Sequence, residues 1–204
     1  MPDDKPAIRT GAMDLDALKA LAHPLRVKIV DTLSTYGSFT ASGLAERLGE
    51  SSGATSYHLR QLEKHNFVRE VEGKGTARER WWERVPGAIS IEGREFRESP
   101  AARAASDLVL NEWTNSRERT LREFLQQDDE LIGSDWVDAA TISLANIVVT
   151  AEQLAEISKS LMKIIDDTTD KYRGQRVVGA RSVQLQLAAF PVVDGLQITA
   201  EDAS

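Results

Sequence analysis

The chain has 204 residues, 25 of them Lys or Arg and 32 Asp or Glu, so its net charge of −7 excludes a uniformly basic nucleic-acid coat protein. With 41% hydrophobic and 28% charged residues it has the composition of a globular chain rather than a disordered one. The sequence contains no Cys, which removes disulfides, thiolate metal sites and thiol nucleophiles together, and His supplies three further candidates.

The opening residues MPDDKPAIRTGAMD are acidic and lack an apolar core, unlike a secretory signal. Nothing approaches the roughly 18 consecutive apolar residues of a membrane span, so the expectation is a soluble cytoplasmic protein with no membrane partner. Charge divides unevenly: residues 14–86 carry +1 and residues 87–204 carry −8. That asymmetry predicts two functional regions meeting near Pro86-Gly87. The expected organisation is a flexible start (1–13), a first domain (14–86), a second region (87–193) and a loose tail (194–204).

Asp14 can cap a short helix bearing Leu15, Leu18 and Leu21 on one face. His23-Pro24 interrupts it, and Pro24 suits the first turn of a second helix striped by Leu25, Ile29, Val30 and Leu33 and ended by Gly37. Thr40 predicts the cap of a third helix over 41–48, stopped by Gly49. Ser51 or Ser52 predicts the cap of a fourth, reaching about Asn66, with Thr55, Leu59 and Leu62 facing inward. Two short helices joined by a tight Gly turn read as a helix-turn-helix. The period then changes from helical to extended. Residues 67–71 and 78–85 are strand-like runs separated by a Gly73-Lys74-Gly75 turn, so the expectation is a hairpin, or wing, directly after the helices.

The segments LDALKALAHPLRVKIVDTL, TASGLAERLGESSGATSYHLRQLEKHNFV and GKGTARERWW together resemble the winged helix-turn-helix of ArsR-type bacterial transcriptional regulators, over about residues 14–86. The resemblance implies double-stranded operator DNA as partner, with the helix over 51–66 entering the major groove. Its outward residues Ser52, Gly53, Ser56, Tyr57 and Arg60 become candidate DNA contacts, and Lys74 at the wing tip and Arg78 after it candidate phosphate grips. Metal sensors of this type depend on Cys, and this chain has none, so thiolate metal sensing is excluded. His58 and His65 lie about 10 Å apart along one helix, too far to share an ion. The expectation is therefore no metal and no cofactor, with His58 packing between helix and wing and His23 shaping the turn before Pro24. A winged fold is also used as a protein-binding adaptor that leaves DNA untouched, and that is the alternative. No Gly-rich phosphate loop, G-x-S-x-G or H-E-x-x-H occurs, so no enzyme is expected.

Ser99-Pro100 predicts the start of a long helix reaching Gln127, striped by Ala101, Ala105, Leu108, Leu121, Phe124 and Leu125. A stripe this long exceeds what a small winged domain can cover, which predicts a homodimer and two recognition helices about 34 Å apart on DNA. Residues 141–149 are β-branched and suggest a strand, with a helix as the other reading. Thr150 with Gln153 forms a capping box before a helix striped by Leu154, Ile157, Leu161, Ile164 and Ile165 to about Tyr172. Val183, Leu185, Leu187 and Ala189 alternate with Ser182, Gln184, Gln186 and Ala188 as a half-buried strand. Trp113, Arg117, Phe124, Trp136 and Met162 form a candidate pocket for a small-molecule effector, apolar with an acidic group, against the reading that these aromatics are core. The predicted fold class is α+β, mostly α: a winged helix-turn-helix followed by a helix-rich region with a few strands.

Overall fold

A computed structural model describes residues 13–76, 79–87, 89, 91, 95–127, 129–175 and 177–198. The fold is α+β and mostly helical, and it contains a winged helix-turn-helix. Contacts divide the chain into two compact units, residues 1–118 with 172–184, and residues 119–171 with 185–204.

The first unit opens with α1 (Leu15–Leu21), α2 (Pro24–Tyr36), the two-residue strand β1 (Phe39–Thr40), α3 (Ala41–Leu48) and α4 (Ser52–Lys64). Each helix begins at a side chain that accepts a hydrogen bond from an otherwise unpaired backbone N–H. Asp14 accepts from Ala17 at 2.7 Å, Thr40 from Gly43 at 3.0 Å and Ser51 from Ala54 at 3.1 Å. Such caps contribute about 1 kcal/mol each. At α2 the cap is His23, whose Nδ1 accepts from the Leu25 N–H at 3.1 Å, with Pro24 in the first turn as its fixed φ favours. Gly49 ends α3 in the left-handed conformation, φ +68°, and turns the chain into α4.

The apolar stripes converge on one core. Leu18, Leu21, Val27, Ile29, Leu44, Leu59, Leu62, Phe67 and Val68 are fully buried, joined by Trp82 and Phe96. The helix α6 (Pro100–Gln126), preceded by the single turn α5 (Glu95–Glu98), adds Val109 and Ala102 to this core through its first half. Ser106 Oγ donates to the Phe96 carbonyl at 3.5 Å and so satisfies a buried hydroxyl.

Strands β2 (Val68–Thr76) and β3 (Glu79–Arg84) complete an antiparallel sheet in the order β1-β3-β2. Arg69 faces Glu83 across the ladder, with Nη2 and Oε1 2.6 Å apart. The expected turn at Gly73-Lys74-Gly75 is instead part of β2. Pairing runs Glu70 with Trp82 and then Gly75 with Arg80, so four residues bulge opposite Trp81, and Gly73 and Gly75 take φ +71° and +99° there. A Cβ on Gly75 would meet the Glu79 carbonyl and the Trp81 ring, so backbone and space both require glycine.

The second unit contains the end of α6, the short helices α7 (Asp129–Ile132) and α8 (Ser134–Ala139), and most of α9 (Ala151–Tyr172). The expected capping box is present: Gln153 N–H donates to Thr150 Oγ1 at 3.3 Å, and Thr150 N–H donates to Gln153 Oε1 at 2.9 Å. None of the described residues of this unit is buried. The expected strands over 141–149 and 183–189 run without forming a ladder among the described residues. Period-2 patterning marks a chain suited to a sheet, but a strand exists only where a second one pairs with it.

Candidate nucleic-acid interface

Helix α4 is anchored through Thr55, Leu59 and Leu62, all fully buried, and through His58 beside them. The Thr55 hydroxyl donates across the helix-turn-helix to the Ala41 carbonyl at 2.8 Å, tying the fourth helix to the first turn of the third. Positions 55, 58, 59 and 62 recur at helical spacing, so the opposite face is turned outward. Ser52, Gly53, Tyr57 and Arg60 lie exposed on it, Tyr57 at 50%, and Ser56 is half-buried between the two faces. A Cβ placed on Gly53 meets nothing within 4 Å, so local packing does not require glycine at this position.

The wing places its residues differently from the expectation. Lys74 is a bulge residue of β2 rather than the tip, and its Nζ donates to Ser38 Oγ at 2.7 Å while lying 3.8 Å from the centre of the Trp81 ring. The ammonium is thereby fixed beside the segment leading into α3. Arg78 lies outside the described residues. A second cation over a ring, Arg47 at 3.5 Å from the centre of Tyr36, escaped the sequence reading because it joins α3 to the end of α2.

The histidines also escaped it in part. His58 packs against His23 and Arg26 at the entrance of α2, where it was expected between helix and wing. The two imidazole centres are 4.3 Å apart, and Arg26 Nε donates to His58 Nδ1 at 3.2 Å. Arg26 Nη1 donates in turn to the Ala20 carbonyl at the end of α1. Burial lowers both imidazole pKa values below the usual 6.5, more than the neighbouring Glu50 raises them. For His58 the next contributions are His23 and Arg26, and for His23 it is Arg26. The acceptor role of both Nδ1 atoms requires them unprotonated. Arg26 and His58 are separated by 32 residues in sequence, and the only hint of their meeting was that His58 falls on the buried face of its helix.

Of the expected effector pocket, Trp113 packs against the core of the first unit, and the Arg117 guanidinium lies 6.0 Å from its ring centre. Phe124, Trp136 and Met162 are half-buried residues of the second unit. A shallow depression at the start of α6, lined by Glu98, Ser99, Pro100, Arg103, Ala104 and Asp107, includes none of the five. Among the described residues no three His, Asp or Glu side chains meet in a metal-binding group, and no helix is long and apolar enough to cross a membrane.

Residues 21–71 match the helix-turn-helix domain family. Two solved structures of a mutant of Lactococcus lactis ZitR resemble the chain at 16% sequence identity. One, in apo form, gives a TM-score of 0.31 over 72% of this chain and 83% of that one; the other gives 0.26 over 81% and 86%. No curated protein matches the chain.

Proposed function

We propose that this chain is a non-enzymatic, sequence-specific DNA-binding transcriptional regulator of the ArsR-like class, acting as a dimeric repressor without a thiolate metal sensor. The observation that carries the reading is the outward face of α4, held free of the core by Thr55, Leu59 and Leu62 within a helix-turn-helix that matches its family over residues 21–71. A helix of this width enters the major groove of B-DNA with its N-terminal residues toward the base edges. In that placement Arg60 donates to base acceptors, the hydroxyls of Ser52, Ser56 and Tyr57 donate to bases or phosphates, and Gly53 admits the backbone closely. Lys74 and Arg78 contact flanking phosphates, with salt-dependent affinity. Residues 14–86 form the DNA-binding domain, and the region after them joins two copies.

Selection of genomic fragments by the purified protein, followed by titration at two salt concentrations, tests the proposal. A regulator returns a two-fold repeat; a protein-binding adaptor enriches nothing. On the selected site, Arg60→Ala weakens specific binding by ~1 to 3 kcal/mol and relaxes one base position, whereas Lys74→Ala weakens binding to all sequences and lowers the salt slope by about one. Unchanged affinity in both variants rejects the assignment of these residues.

A further inference from the structure

Lys74 is held in place by groups that do not neutralise it. Its Nζ donates to Ser38 Oγ at 2.7 Å and lies 3.8 Å from the centre of the Trp81 ring, and among the described residues no carboxylate stands at ion-pair distance from it. Other cations of the hairpin are neutralised, Arg69 by Glu83 and Arg80 by Glu70. Trp81 is itself fixed from two sides. It pairs with Thr40 across β1 and β3, and its indole edge lies so close to Gly75 that a Cβ there would meet Cδ1 at 2.7 Å and Nε1 at 3.2 Å. Ser38 stands three residues before Ala41, whose carbonyl accepts the Thr55 hydroxyl of α4 at 2.8 Å. Three residues of chain span at most about 11 Å, so the lysine and the serine lie close to the start of α4.

We propose that Ser38 and Lys74 together contact one phosphate of a DNA strand, and that Trp81 is the positioning residue of that contact. The inference deepens the DNA-binding reading above and rests on it. An ammonium has three N–H donors, and Lys74 gives one to Ser38. The Ser38 hydroxyl accepts there and keeps its own O–H, for which the described residues supply no acceptor. Two donors on atoms 2.7 Å apart, one of them charged, suit the two free oxygens of a phosphate diester, which accepts at both and donates nothing. Position selects the DNA backbone as the source of that anion, because the pair stands beside the helix whose outward face is assigned to the groove. A second cation without a paired carboxylate lies on the same segment: Arg47, 3.5 Å from the centre of the Tyr36 ring and 6.0 Å from that of Phe39. Trp81 does not touch the phosphate. Its face confines a four-carbon side chain to one region, so the contact forms without first ordering a mobile lysine. Glycine at position 75 keeps the indole in that place, since a side chain there would displace it from beneath the ammonium.

The test is a titration of the full-length protein onto the DNA fragments it selects, repeated across a range of salt concentrations, with the melting transition of every variant recorded first. Trp81→Leu lowers the salt slope by about one, as Lys74→Ala does, and the two together lower it no further. Trp81→Phe, which keeps a ring face, keeps the slope. A tryptophan that served only to hold the hairpin together would weaken binding in Trp81→Leu and leave the slope intact. Ser38→Ala weakens binding to all fragments about ten-fold, the loss of one hydrogen bond to a charged group, and Ser38→Thr restores it. If Trp81→Leu shows no melting transition, the two serine variants decide, because the Ser38 hydroxyl bonds only Lys74 among the described residues. An unchanged slope in folded Trp81→Leu, or unchanged affinity in Ser38→Ala, overturns the proposal and leaves the regulator reading standing. Inorganic phosphate alone, followed through the amide resonances of residues 36–40, separates the two sources of the anion. Saturation by phosphate, with DNA affinity indifferent to Ser38→Ala, assigns the pair to a free anion and overturns the DNA contact. A protein that selects no DNA removes the regulator reading, and this contact with it.

Discussion

In the first unit Leu18, Leu44, Leu59 and Leu62 lose all contact with solvent, whereas in the second the equally regular stripe Leu154, Ile157, Leu161 and Ile165 is only half covered. Within α4 the buried Thr55, Leu59 and Leu62 recur at helical spacing as the α9 stripe does, and α9 is the longer helix. Periodicity therefore determines which face of a helix seeks cover, while the number of neighbouring elements determines whether it finds it. Around α4 stand α1, α2, α3 and β2. Among its described residues the second unit sets beside α9 the end of α6, two helices of four and six residues and extended chain, and this leaves no residue of α9 buried.

This contrast makes its largest prediction at a leucine. Leu59→Ala leaves a cavity where α4 meets the core and costs ~2 to 5 kcal/mol in chemical denaturation of the first unit. Ile164→Ala, at a position 60% exposed on α9, changes stability by less than about 0.5 kcal/mol. Comparable losses at the two positions would mean that α9 is as well enclosed as α4, and the distinction between the units would fall.

Glycines sharpen the comparison within the first unit. Gly75→Ala forces a side chain into φ +99° and against the Glu79 carbonyl and Trp81 ring, at a cost of about 1 to 3 kcal/mol or more. Gly53→Ala meets open space in a helical turn and raises stability by up to about 1 kcal/mol, while reducing affinity for the selected DNA site if the backbone approaches a phosphate there. Paired melting and binding curves check both variants. Opposite signs of stability and affinity at Gly53 are the expected signature of a glycine kept for contact rather than for folding.

What could be read from sequence follows the range of the interaction. The caps Asp14, Thr40 and Ser51, the Thr150–Gln153 box and the Gly49 turn join residues at most a few positions apart, and spacing alone locates them. Gly73 and Gly75 were readable as positions of positive φ, but a turn and a bulge demand the same freedom, and only the partner strand's register distinguishes them. Trp113 belongs to the core because α6 packs on the winged domain, a contact for which no local pattern exists. The extended segments failed as strands for the reason that sequence carries a strand's pattern but not its partner. On the candidate interface, inward Thr55, Leu59 and Leu62 were legible by period, which made the outward face legible by elimination. The Lys74 contact with Ser38 and the pair His23–His58 were not, since each joins residues more than thirty apart.

That histidine pair gives the smallest effect. Burial, followed by the neighbouring cations, depresses both imidazole pKa values in the folded protein, so the unfolded chain takes up protons at a higher pH than the native one. Where the unfolded state binds more protons, stability rises with pH. Stability is complete above the unfolded value of about 6.5 and declines as pH falls from there toward the depressed folded values. Protonation removes the Nδ1 acceptors used by the Leu25 N–H and by Arg26, and sets two new charges beside the guanidinium, opposed by Glu50. Denaturation of the first unit between pH 7.5 and 5.5 measures the decline, and His58→Gln, which retains an acceptor without titrating, flattens it. A slope unchanged in that variant would place the titrating group elsewhere and would reduce His58 to a packing residue of α4.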